Sequence, residues 1–82
     1  MILDLANIVG LFGSALFVIA FAYSNIARSM NFVLFNALNL IGAVLLLYSL
    51  SVHFNLAAMA LEIAWAIIAL LGLARALRKG RA

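Results

Sequence analysis

The stretch Asn55-Leu-Ala-Ala-Met-Ala-Leu-Glu62-Ile-Ala-Trp65-Ala-Ile-Ile-Ala-Leu-Leu-Gly-Leu-Ala74 decides how this chain folds. At about 1.5 Å of rise per residue, its length as a helix matches a hydrocarbon core about 30 Å thick. It nevertheless carries one carboxylate. Ionisable side chains inside a membrane are costly and turn toward protein or a water-filled cavity, so Glu62 is the first candidate for a functional role.

Two further uncharged runs precede it. Leu5 to Ala27 contains Ile8, Val9, Leu11, Phe12, Leu16, Phe17, Val18, Ile19 and Phe21, and Phe32 to Val52 is interrupted only by Asn36, Asn39, Gly42 and a few hydroxyls. The first run is longer than a signal peptide's apolar region and no Lys or Arg precedes it, so it is read as a span. Short turns separate the runs. Ser29 or Asn31 is available to cap the second helix and Asn55 the third, giving spans of about 6–27, 32–51 and 55–75, a basic tail over 75–82, and Gly80 as the stop of the third helix. The expected fold is all-α, one membrane-spanning three-helix bundle over residues 1–82.

Composition agrees. The chain is 71% hydrophobic and 9% charged, with no Pro and no Cys, and its formal charge of +3 comes from cations that flank apolar segments. A water-soluble globule needs more polar surface than this. Three crossings put Arg28, Arg75, Arg78, Lys79 and Arg81 on one side and Asp4 and His53 on the other, which the positive-inside rule orients N-out and C-in. That puts the C-terminus of a multi-pass protein in the cytoplasm. It also argues against dual insertion. The tail is a topology anchor that can also meet anionic headgroups, and no motif points to nucleic acid.

Small and polar side chains mark the candidate contacts. Ala6, Gly10 and Ser14 recur every four residues, with Gly13 beside them, a stripe along which another helix can approach closely. Asn36, Asn39, Ala43 and Leu46 share a face of the second helix. Its amides serve either as interhelical hydrogen-bonding groups or as part of a polar pathway. His53, in the second turn, is expected to be solvated. Glu62 lies about 10 Å in from the outer end of its helix, at the level of Ser14 and Val44, and Ser14 or a backbone carbonyl is the expected partner of its carboxyl. Trp65, one turn deeper, also needs an acceptor, and Glu62 at i, i+3 is the nearest on its own helix. Ala58, Ala66 and Ala69 complete that face. The candidate intramembrane site is therefore Glu62, Trp65, Asn36, Asn39 and Ser14, with Ala6, Gly10, Gly13 and Gly42 as packing positions.

Asn39-Leu-Ile-Gly42-Ala43 followed by Glu62-Ile-Ala-Trp65 resembles small three-helix bacterial membrane proteins of uncharacterised function. Those carry N-x-x-G on the second span and an acidic or amide residue three before a Trp on the third. In size and helix count the chain is also similar to SemiSWEET half-transporters, which work as parallel dimers. Their first-helix Pro-Gln motif is missing here, so sugar transport does not carry over. Two function classes follow. One is a parallel homo-oligomer that moves a small solute or a proton along a polar seam. The other is an accessory subunit of a larger respiratory, photosynthetic or secretory complex. The partners are lipid and either itself or that complex; no resident cofactor or metal is expected, with pigment, quinone or lipid entering only in the subunit case. No nucleophile with a base, metal-ligand cluster or phosphate loop is present, so no catalytic residue is assigned.

Overall fold

A computed structural model describes residues 4–80 and contains three helices: α1 (Leu5–Ile26), α2 (Phe32–Val52) and α3 (Leu56–Gly80). All three are long and apolar enough to cross a membrane. Each begins on a side chain that accepts a backbone N–H left without a partner in the first turn. Asp4 Oδ1 accepts from Asn7 N at 2.8 Å, Asn31 Oδ1 from Leu34 N at 3.0 Å and Asn55 Oδ1 from Ala58 N at 3.0 Å. Of the two candidates for the second cap, the fold uses Asn31. The first turn is tied further by Asn31 N donating to the Tyr23 hydroxyl at 2.8 Å.

α2 is the middle helix. It packs against α1 on one side and α3 on the other, while α1 and α3 share no close backbone approach. The contact faces are made of small residues: among the described residues the buried hydrophobic side chains are Ala6, Ala20, Ala43 and Ala69, and Asn39 is the buried polar one. None of the large described side chains is fully buried. Close backbone approach therefore replaces a bulky core, as expected where lipid offers helices no hydrophobic reason to associate.

The tightest approach is between α1 and α2. A Cβ on Gly13 would stand 2.8 Å from the Gly42 carbonyl oxygen, and one on Gly42 would stand 2.7 Å from the Phe17 ring. Gly10 faces Ser49 in the same way. The packing stripe of α1 is thus Ala6, Gly10, Gly13 and Ala20. Ser14 does not belong to it; it is exposed, because it lies about 100° around the helix from Gly13, whose face α2 already occupies. Large apolar side chains such as Phe12, Val18, Phe21, Ile68 and Leu71 point outward, as a lipid-facing surface requires.

Candidate functional site

The middle of α2 builds the polar centre. Asn39 and Gly42, three residues apart, share the face that both neighbouring helices reach. Because Gly42 has no side chain, the Phe17 ring of α1 can cross α2 there and stack on Trp65 of α3, with ring centroids 5.1 Å apart and planes at 28°. Beside this pair lies Asn39, 7% exposed. Its Nδ2 donates to the Phe35 carbonyl of its own helix at 2.9 Å, and its Oδ1 accepts from Trp65 Nε1 at 3.0 Å. Asn39 is therefore a hydrogen-bonded link between α2 and α3.

This corrects the expectation for Trp65, whose indole donates to Asn39 and not to Glu62. The i, i+3 spacing places Glu62 on the right side of α3, but α2 supplies a better aligned acceptor. Glu62 is half-buried, and its Oε1 is sealed from solvent with no hydrogen-bond partner. One turn back from the Phe17–Trp65 stack along these two parallel helices stand Ser14 and Glu62, so their common level is right. Ser14 is nevertheless not its partner, because α2 lies between α1 and α3 and Ser14 faces outward.

Asn36, one turn from Asn39, donates from Nδ2 to the Phe32 carbonyl at 2.8 Å. Its amide lies against Gly72, where a Cβ would meet Asn36 Oδ1 and would stand 2.8 Å from Asn36 Cγ. The sequence reading missed Gly72. Its signal was the lone glycine deep in α3, one turn beyond Ala69.

The two ends of the molecule differ in charge. At one, His53 Nε2 lies 2.9 Å from Asp4 Oδ2, joining the start of α1 to the end of α2. His53 is thus paired across the fold. The Asn7 backbone N–H, and then His53, hold the Asp4 carboxyl below the usual carboxylate range. At the other end Arg75 and Lys79 line a 420 Å³ cavity together with Asn31, Phe32 and Asn36. Arg28 and Arg78 are exposed, and Arg81 lies outside the described residues.

A protein-family model of uncharacterised function matches residues 6–81. No curated protein and no solved structure matches the chain.

Proposed function

The chain belongs to that family, and we propose that it is a non-enzymatic integral protein of the bacterial inner membrane, inserted N-out and C-in, which works as a parallel homo-oligomer of the half-transporter type. Its intramembrane seam centres on Glu62 and carries a proton or a small solute. It requires no resident cofactor.

One observation carries this reading. Ser14 faces outward, and the other side chains of the candidate polar centre bond within the chain: Asn36 and Asn39 each donate to their own helix, and Trp65 donates to Asn39. Glu62 alone of that group holds a buried oxygen with nothing to bond. A buried acceptor without a donor is costly, and a second protein surface can supply one. With α2 separating α1 from α3, one copy also cannot enclose a path, whereas two can place their α3 carboxyls along a shared seam.

Native mass determination after gentle extraction, followed by proton-linked flux in proteoliposomes, tests the proposal. A homodimer is expected, with Glu62→Gln dimeric but without flux. Purification only in fixed stoichiometry with other chains, with no activity alone, would instead identify an accessory subunit of a larger complex.

A further inference from the structure

Among the described residues, Arg75 and Lys79 have no side-chain counter-ion. The chain's two carboxylate side chains are Asp4, which is paired with His53 at the opposite end, and Glu62, thirteen residues up α3 from Arg75 and so about 20 Å away. Both cations line the 420 Å³ cavity between the start of α2 and the end of α3, and Asn36 and Gly72 form its inner wall. Its chemistry suits an anion.

Asn36 also borders a second hollow. The same residue begins a 260 Å³ apolar groove that runs between α2 and α3 past Phe35, Ile68 and Ala69 to Asn39 and Trp65. From Arg75 to Trp65 is ten residues, or about 15 Å along the helix, which is half of a hydrocarbon core about 30 Å thick. A basic mouth at the membrane interface thus adjoins an apolar groove that reaches about one leaflet deep. A free phosphate would use only the mouth.

We infer that this cavity and groove form a binding site for one anionic glycerophospholipid. Its phosphodiester sits between Arg75 and Lys79, and one acyl chain lies along α2 and α3 as far as Trp65. A side chain at Gly72 would displace the Asn36 amide, which borders both the cavity and the groove. Arg78, which does not line the cavity, takes no part.

The test is native mass spectrometry of the full-length protein in detergent, titrated separately with dioleoyl phosphatidylglycerol, dioleoyl phosphatidylcholine, the short-chain dihexanoyl phosphatidylglycerol and inorganic phosphate. One retained dioleoyl phosphatidylglycerol per chain is expected, with weaker retention of the other three. The double variant Arg75→Gln/Lys79→Gln is expected to weaken that binding by about tenfold or more, and Arg78→Gln to leave it within about twofold. Circular dichroism of each variant confirms that the helices are retained. Equal loss in Arg78→Gln would reduce the effect to diffuse charge, and equal binding of phosphatidylcholine would remove the role of the cations; either overturns the site. Binding of the dihexanoyl lipid or of phosphate as tight as that of the dioleoyl lipid would overturn the groove.

Discussion

Trp65 on α3 donates its indole N–H to the Oδ1 of Asn39 on α2 at 3.0 Å, and no side chain on its own helix serves as its acceptor. This bond sits beside the Phe17 stack and joins all three helices at one level. The polar residues of the second span thus hold the fold together before they can serve any solute.

The pair should therefore show a measurable coupling. Trp65→Phe keeps a ring to stack on Phe17 but removes the donor, and Asn39→Ala removes the acceptor. A double-mutant cycle, read from reversible unfolding in mixed micelles, is expected to give about 0.6 to 1.7 kcal/mol, the range found for hydrogen bonds between membrane helices. Additive losses would mean that the bond contributes nothing.

Neither Gly13 nor Gly10 should accept a methyl group. At Gly13 the added Cβ would stand 2.8 Å from the Gly42 carbonyl oxygen, and at Gly10 it would stand 2.9 Å from Ser49 Cβ; no side-chain rotation moves either atom. Gly13→Ala and Gly10→Ala are each expected to cost about 1 to 3 kcal/mol as α1 is pushed off α2. The same unfolding assay would contradict this packing if either substitution were neutral.

Asp4 makes the start of α1 sensitive to acid. Its folded carboxyl titrates below the unfolded one, so the cap's contribution is present above the ordinary carboxylate range and is lost as pH falls through the lowered folded value. The Asn7 amide resonance in micelles should report a midpoint below that of an unperturbed aspartate. His53→Ala should raise that midpoint, and Asp4→Asn should abolish the titration. A midpoint that His53→Ala leaves unmoved would show that the side-chain pair has no influence on the cap.

Orientation is open to labelling because the chain contains no Cys of its own. Phe54→Cys lies in the turn near His53, and Ser29→Cys lies in the turn beside Arg28. With the basic end in the cytoplasm, an impermeant maleimide should label Phe54→Cys in intact spheroplasts and Ser29→Cys only after permeabilisation. The reverse pattern would invert the topology.

Much of this architecture was legible because lipid imposes simple demands. Three apolar runs of membrane length, of which only the third carries an ionisable side chain, leave helices as the only way to satisfy the backbone, and Asn55 stands where a cap is needed. Gly10 and Gly13 lie where α1 comes closest to α2. Ser14 and the acceptor of Trp65 did not read correctly, for a common reason. Helical spacing reports which residues share a face of one helix, but not which neighbour covers that face.

By itself, the order of residues determined that this protein is helical, that it is built for a membrane, and that its cations gather at one end, since hydropathy and charge act along the chain without reference to any neighbour. Only the tertiary structure decided that α2 lies in the middle, that Asp4 meets His53, that Asn39 is spent on Trp65, and that Glu62 keeps a buried oxygen without a donor. Those outcomes depend on how far two backbones can close on each other at Gly13, Gly42 and Gly72, a matter of steric fit between residues distant in sequence.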